Sequence, residues 1–117
     1  MKNTIFYLSN CGTCKKVLDE IKPDKSVILQ DIKTEKITDK QIEEMAKLAG
    51  GYEPIFSKIA MKYRSLGLNE MKLSEADYKK YIFEEYTFLK RPVIVYNNKI
   101  YVGSSKSSVT AAKAAMK

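Results

Sequence analysis

The sequence predicts an α/β fold in which helices cover a four-stranded mixed sheet. Three observations support this prediction. The first third of the chain alternates strand, helix and strand, and the middle third has helical spacing throughout. The last third holds two short apolar strands around a two-residue turn, followed by a helix. The chain has 117 residues, which fits one domain with a single core.

The first third has the pattern of a βαβ unit. "TIFYL", Thr4 to Leu8, is rich in β-branched and aromatic residues, as expected for a strand buried on both faces. The next segment is a helix that ends at Pro23, and its apolar face comprises Cys14, Val17, Leu18 and Ile21. A second strand, Ser26 to Ile32, completes the unit, so these two strands should be parallel.

The middle third contains two helix starts of the same kind. Thr38 is followed three residues later by Gln41, and Ser74 is followed three residues later by Asp77. In each pair the two side chains can satisfy each other's backbone N–H group, which is the capping box of a helix N-terminus. We therefore expect one helix to begin at each site.

Two further expectations concern the same region. Pro54 suits the first turn of another short helix, "PIFSKIAMKY", which should end near Gly67. The helix that begins at Ser74 should run to about Tyr86. These helices make the middle third a helical insertion between the sheet strands.

The last third predicts an antiparallel hairpin and a final helix. The strands "VIVY", Val93 to Tyr96, and "KIYV", Lys99 to Val102, flank Asn97-Asn98, whose residues tolerate the positive φ of a tight hairpin turn. An alanine-rich helix follows from about Ser105 or Lys106. The element order is that of a thioredoxin-like fold, predicted as one domain over residues 1–117 with an insertion at about 38–89.

Charge and hydropathy favour a soluble cytoplasmic protein. The net charge is +7, but the lysines are spread along the chain among 14 acidic residues. No dense basic block or nucleic-acid motif occurs, so direct nucleic-acid binding is not expected. The sequence has no apolar run of about 18 residues, which a membrane span would need. The start of the chain is too polar for a signal peptide, and a cytoplasmic location is expected.

Both cysteines lie in one stretch, "SNCGTCKKV", as Cys11 and Cys14. A structural zinc site needs four Cys or His ligands, and the chain has two Cys and no His, so no metal is expected. Two buried cysteines acting as small apolar residues remain an alternative, which Cys14 fits through its apolar helix face. Cys11 fits it poorly, because it lies among small polar residues before the helix.

The alternative to that structural interpretation is a redox site. A thiolate at a helix N-terminus is stabilised by unpaired N–H groups and by the helix dipole. CxxC beside a βαβ unit is typical of thioredoxin-like redox sites. Far along the chain, Arg91-Pro92 immediately precedes a strand. Either Pro92 simply starts that strand, or Arg91 faces the thiolate and binds an anion; the sequence leaves both open.

The stretches "NCGTCKKVLDEI", "YRSLGL" and "LKRPVIVYNNKIYVG" occur in this order, and together they resemble the ArsC/Spx family of thioredoxin-like proteins. The resemblance extends over nearly the whole chain. It implies that Cys11 is the nucleophile, that Arg91 helps to bind an oxyanion and that Pro92 is the cis-proline beside the active site. Cys14 matches the second cysteine of the Spx-type CxxC, where glutaredoxin-dependent arsenate reductases usually have serine.

The sequence departs from the arsenate reductases of that family at two anion-binding arginines. The matching positions fall near Ser57 and Ser104, beside Lys58 and Lys106. A lysine presents a point charge and lacks the bidentate fork of arginine. Spx-type regulators have a longer basic tail after the final helix, and the resemblance does not extend to such a tail.

The leading prediction is therefore a thiol–disulfide oxidoreductase with Cys11 as nucleophile, Cys14 as resolving thiol and Arg91 as charge partner. Gly12, Thr13, Lys15 and Pro92 are the predicted substrate or anion-binding residues. The resemblance implies no bound cofactor, glutathione as a candidate co-substrate, and a small thiol, glutaredoxin or thioredoxin as reductant. Two alternatives stay open: a redox-sensing regulator that binds the RNA polymerase α subunit, and an arsenate reductase.

Overall fold

A computed structural model describes residues 2–116. The chain divides into two compact units. The first contains Met1–Ile37 and Arg91–Lys117, and the second contains Thr38–Lys90. The described residues form five α-helices: α1 Gly12–Ile21, α2 Asp39–Ala49, α3 Met61–Ser65, α4 Glu75–Glu84 and α5 Lys106–Ala115. No helix among them is both long enough and apolar enough to span a membrane.

The first unit contains a four-stranded mixed sheet. Its strands are β1 Thr4–Tyr7, β2 Ile28–Asp31, β3 Val93–Tyr96 and β4 Lys99–Val102, in the spatial order β2-β1-β3-β4. The central β1 pairs parallel with β2 and antiparallel with β3, and β3 pairs antiparallel with β4. The predicted fold class, a thioredoxin-like α/β fold with a four-stranded mixed sheet, is thus confirmed.

One face of this sheet packs against α1 and α5. Ile5 of β1 and Ile94 of β3 are opposite each other across the ladder, and both are buried. They form an apolar core with Val17 and Ile21 of α1 and with Val109 of α5. The core fixes α1 against the sheet, so the start of α1 lies beside the end of β1.

The hairpin turn has the predicted conformation. Asn97 and Asn98 have φ angles of 50° and 63°, the left-handed region that a two-residue turn between right-twisted strands requires. The backbone N–H of Asn97 donates to the side-chain oxygen of Asn3 at 2.8 Å. This bond ties the turn to the residue that precedes β1.

The second unit confirms both predicted capping boxes. The N–H of Gln41 donates to the Thr38 hydroxyl, and the N–H of Thr38 donates to the Gln41 side chain. Ser74 and Asp77 make the same reciprocal pair at the start of α4. The helix after Ser74 ends at Glu84, two residues earlier than predicted, and a 3-10 turn over Tyr86–Phe88 follows it.

The predicted single helix "PIFSKIAMKY" is wrong. Pro54 lies in a 3-10 turn, Glu53–Ile55, and the chain then becomes extended at Phe56. There Phe56 forms an isolated antiparallel bridge with Leu89, and Lys90 N–H donates to the Ile55 carbonyl at 2.9 Å. This long-range pairing satisfies backbone groups that a helix would have used, so helical structure resumes only at α3.

An aromatic cluster forms the core around that bridge. The rings of Phe56 and Phe88 are stacked, with centroids 5.1 Å apart and planes 13° apart. The ring of Tyr78 lies 4.9 Å from that of Phe56. Because all three residues are buried, the cluster gives the second unit an apolar centre of its own.

Candidate active site

Cys11 is the residue immediately before α1. It has an extended conformation, with φ −101° and ψ 113°, at the N-cap position of the helix. Its N–H donates to the Leu8 carbonyl, and its own carbonyl accepts from Lys15 N–H, both at 3.1 Å. The first turn of α1 contains no acidic residue. The positive end of the helix therefore acts on Cys11 unopposed by a carboxylate within that turn.

The two cysteines differ in burial although they are close together. Both are free thiols, and they approach each other to within 3.6 Å. Cys14 is completely buried on the inner face of α1. Cys11 is half-buried, less exposed than its polar sequence neighbours predict, whereas Gly12 and Thr13 beside it are exposed. A reagent can thus reach Cys11 more easily than Cys14.

The pKa of Cys11 is lowered from the ordinary value of a thiol. Burial is the largest single influence and raises this pKa, but four other influences together outweigh it. They are hydrogen bonds from the backbone N–H and the S–H of Cys14, a hydrogen bond from Thr13 N–H, and the charge of Arg91. The start of α1 therefore favours the thiolate form of Cys11.

The pKa of Cys14 moves in the opposite direction, to about 11. Burial is again the largest influence, and the hydrogen bond to Cys11 and the negative charge of Cys11 raise it further. A hydrogen bond from the backbone of Leu8 and the charge of Arg91 lower it in part. Cys14 consequently keeps its proton at neutral pH.

Arg91 and Pro92 lie immediately before β3. Pro92 is buried, its peptide bond with Arg91 is cis, and its carbonyl accepts from Gly103 N–H at 2.9 Å. Arg91 is half-buried, and its positive charge acts on both thiols. Pro92 thus precedes the strand, and Arg91 contributes positive charge to the cysteines, while anion binding by Arg91 stays a prediction.

The remaining predicted residues are distributed over both units. Lys15 is exposed in the first turn of α1. In the first unit, Ser104 is exposed and Lys106 begins α5. In the second unit, Ser57 is buried, and its N–H donates to the Phe88 carbonyl. The ammonium group of Lys58 binds the Glu53 carboxylate at 2.8 Å.

Two residues near the cysteines were not predicted. The backbone of Leu8 contacts both of them, through the Cys11 N–H and the Cys14 thiol. At the end of β2, the Asp31 carboxylate accepts from Ser9 N–H at 3.4 Å, and a further bond to the Ser9 side chain lowers the pKa of Asp31. Only the position of Ser9 and Asp31 at the ends of neighbouring parallel strands could have indicated this contact.

The described residues offer little to hold a metal. Between residues 2 and 116, no group of three or more His, Cys, Asp or Glu side chains could bind an ion. The groups that lie together at the candidate site are two thiols, a helix N-terminus and the charge of a guanidinium group.

Comparisons with known proteins identify the family. The model of the ArsC family matches residues 6–112. Among solved structures, the YFFB protein is 22% identical with a TM-score of 0.79, and the alignment covers 98% of this chain and 99% of that one. No protein in the curated comparison matches.

Two further solved structures are similar in fold to this chain. An arsenate reductase (ArsC) related protein from Brucella melitensis is 23% identical with a TM-score of 0.70, covering 95% of this chain and 93% of that one. An arsenate reductase from Vibrio cholerae is 16% identical with a TM-score of 0.72, covering 96% and 98%. At these identities the structures support the fold, and the family model supplies the assignment. The chain therefore belongs to the ArsC family, a family of the thiol-oxidoreductase type.

Proposed function

We propose that this protein is a thiol–disulfide oxidoreductase in which Cys11 is the nucleophile and Cys14 the resolving thiol. The observation that supports this proposal is the opposite displacement of two pKa values in thiols 3.6 Å apart. A nucleophile must be a thiolate and accessible, which fits Cys11. A resolving thiol must stay protonated until the first bond has formed, which fits Cys14.

In the first step the Cys11 thiolate attacks one sulfur of a substrate disulfide. A bond forms between Cys11 and that sulfur, the substrate S–S bond breaks, and the other sulfur leaves as a thiolate that takes a proton from water. A glutathione mixed disulfide is the proposed substrate class. Its carboxylates suit Arg91 and the positive end of α1, where the exposed residues Gly12 and Thr13 lie.

In the second step Cys14 loses its proton to solvent and attacks the Cys11 sulfur. The second substrate thiolate leaves, and two electrons have passed from the cysteine pair to the substrate. The first step itself prepares Cys14 for this role. Once Cys11 is in a mixed disulfide, its charge and its hydrogen bond, both of which raise the pKa of Cys14, are lost. The pKa of Cys14 therefore falls when its thiolate is needed, and Arg91 favours that thiolate.

The product is a Cys11–Cys14 disulfide, which an external thiol must reduce. Two molecules of glutathione, or one dithiol protein such as a thioredoxin or glutaredoxin, return two electrons by the same exchange chemistry. Exposed Lys15 and half-buried Arg91 place positive charge beside the approach of an anionic thiol. Pro92, immediately before β3, fixes the backbone on this side of the site.

The test is disulfide trapping with Cys14→Ser. In this variant the mixed disulfide at Cys11 cannot be resolved, so incubation with oxidised glutathione should leave one glutathione attached to Cys11, which mass spectrometry detects. The wild type should instead release reduced glutathione and form its internal disulfide. Cys11→Ser is the matched control and should do neither. Turnover of a glutathione mixed disulfide by Cys11→Ser at the wild-type rate would refute the mechanism.

Arsenate reduction stays a prediction of the family resemblance. One observation favours it, because Arg91 and the N-terminus of α1 offer an oxyanion two kinds of donor. Arsenate reduction with glutathione and glutaredoxin measures it directly, and the absence of arsenite would exclude it.

Binding to the RNA polymerase α subunit also stays a prediction. Co-purification of the two purified proteins under oxidising and reducing conditions tests it. A redox-dependent complex would favour the regulator over the oxidoreductase, whereas no complex under either condition would exclude the regulator.

A further inference from the structure

The second unit exposes an unusual segment, "KIAMKYRSL", residues 58–66, which we call the basic–apolar segment. Ile59 is 95% exposed, Met61 is 91% exposed and Leu66 is 55% exposed. Single exposed apolar side chains are ordinary on protein surfaces. In this segment two apolar side chains that are almost fully exposed lie within three residues, and a third lies nearby. Such a group is typical of a surface that binds another molecule.

Helix α3 is weakly held within its own unit. None of its five residues is buried, and a helix of that length has little stability by itself. Its described attachments are the ring of Tyr63, edge-on to Phe56 at 5.9 Å, and the ion pair of Lys62 with Glu85 at 2.5 Å. Exposed ion pairs contribute little. Ile59 and Met61, which are almost fully exposed, therefore contribute little to packing in the described structure.

The charge of the segment has one sign. It contains Lys58, Lys62 and Arg64 and no carboxylate. Lys58 and Lys62 are paired with Glu53 and Glu85 of the same unit. Arg64 is exposed, and no acidic group between residues 2 and 116 pairs with it. The unpaired guanidinium group of Arg64 thus belongs to a residue three positions after Met61 and two positions before Leu66.

We propose that the basic–apolar segment is a docking surface for an acidic segment of another protein, in which Asp or Glu residues flank aliphatic side chains. Ile59, Met61 and Leu66 would pack against the aliphatic side chains of that segment. Arg64 would bind a partner carboxylate through two parallel hydrogen bonds. Methionine and arginine are enriched in protein interfaces, and flexible methionine adapts to irregular grooves. This inference does not depend on the thiol chemistry.

Two other anionic partners fit the segment less well. Interfacial membrane helices bury a large apolar face, in many cases over about 20 to 30 residues, whereas α3 has five residues. Single-stranded nucleic acids bind through exposed aromatic rings that stack on bases, whereas the most exposed residues here are the aliphatic Ile59 and Met61. An acidic protein segment satisfies both the charge and the aliphatic character.

Selection from a random peptide library displayed on phage tests this proposal. The full chain is the bait, and the variant Ile59→Ser/Met61→Ser is used for counterselection. Both side chains are almost fully exposed, so the variant should fold, which its circular dichroism and melting temperature check. Enriched peptides should combine aliphatic residues with Asp or Glu, and should bind this variant and Arg64→Glu at least about tenfold more weakly than the wild type.

Three controls complete the design. Ile28→Ser/Leu29→Ser removes an exposed apolar pair from the other unit, and should bind the selected peptides like the wild type. Cys11→Ser should also bind like the wild type, which separates this test from that of the proposed function. Flotation with anionic phospholipid vesicles checks the membrane alternative. The proposal is overturned if no peptide is enriched, if the enriched peptides lack acidic residues, if the serine variant binds them equally, or if vesicles compete for the segment.

Discussion

The difference between the two thiols predicts strongly selective alkylation. The perturbation is a limiting dose of iodoacetamide on the reduced wild-type protein at about pH 8. The pKa of Cys14 is raised from 9.0 to about 11, so its thiolate population is about a hundredfold smaller than that of an ordinary cysteine, near one molecule in a thousand at this pH. The pKa of Cys11 is lowered, and its thiolate population exceeds the ordinary one. The rate at Cys11 should therefore exceed that at Cys14 by more than about a hundredfold.

The assay must distinguish two sulfurs in one peptide. Trypsin cleaves after Lys2 and Lys15, so both cysteines lie in the peptide of residues 3–15. Fragmentation between Gly12 and Thr13 in a mass spectrometer assigns the label to either side. In Cys11→Ser, Cys14 should react faster than it does in the wild type, because the charge and hydrogen bond of Cys11 are lost. It should still react more slowly than a free cysteine, because it remains buried. Comparable labelling of the two sulfurs in the wild type would refute the assigned roles.

Four further results are expected. Arg91→Gln should raise the pKa of Cys11 and move the pH–rate profile of alkylation to higher pH, with a smaller shift in Arg91→Lys; an unchanged profile would remove Arg91 from the site. Thr38→Ala removes a capping box and should lower the free energy of unfolding by about 1 kcal/mol in urea, whereas no change would show that α2 does not depend on its cap. The native state raises the pKa of Cys14 from 9.0 to about 11. The protonated Cys14 thiol therefore makes its full contribution to the free energy of unfolding below about pH 9. The free energy of unfolding should fall by about 2 to 3 kcal/mol as the pH rises towards 11. The variant Cys14→Ala should lack this fall. The single domain predicted for residues 1–117 should give one calorimetric transition, and two resolved transitions would contradict it.

Features set by local chemistry could be predicted from the sequence. The caps at Thr38 and Ser74 depend on side chains three residues apart, and the turn at Asn97-Asn98 depends on residues that accept positive φ. The βαβ unit follows from apolar spacing over a short distance. The position of Cys11 before α1 could also be predicted locally. It is determined by a polar loop between an apolar strand and an amphipathic helix.

Features that depend on distant partners could not be predicted in this way. The helix expected after Pro54 is interrupted because Phe56 pairs with Leu89, more than thirty residues away. The proximity of Arg91 to the cysteines arises from the pairing of β1 with β3, which the element order only suggests. The contact of Asp31 with Ser9 has no local signal in the sequence, since it joins the ends of two parallel strands.

The split of the two thiol pKa values also has an electrochemical consequence. Where both cysteines are protonated, reduction of the proposed Cys11–Cys14 disulfide takes up two protons with two electrons, and its potential falls by about 59 mV per pH unit. Above the lowered pKa of Cys11 and below about pH 11, reduction takes up a single proton, which remains on Cys14. The slope should there be about 30 mV per pH unit. The protein would thus hold its reducing power more constant across pH than a pair of ordinary thiols does.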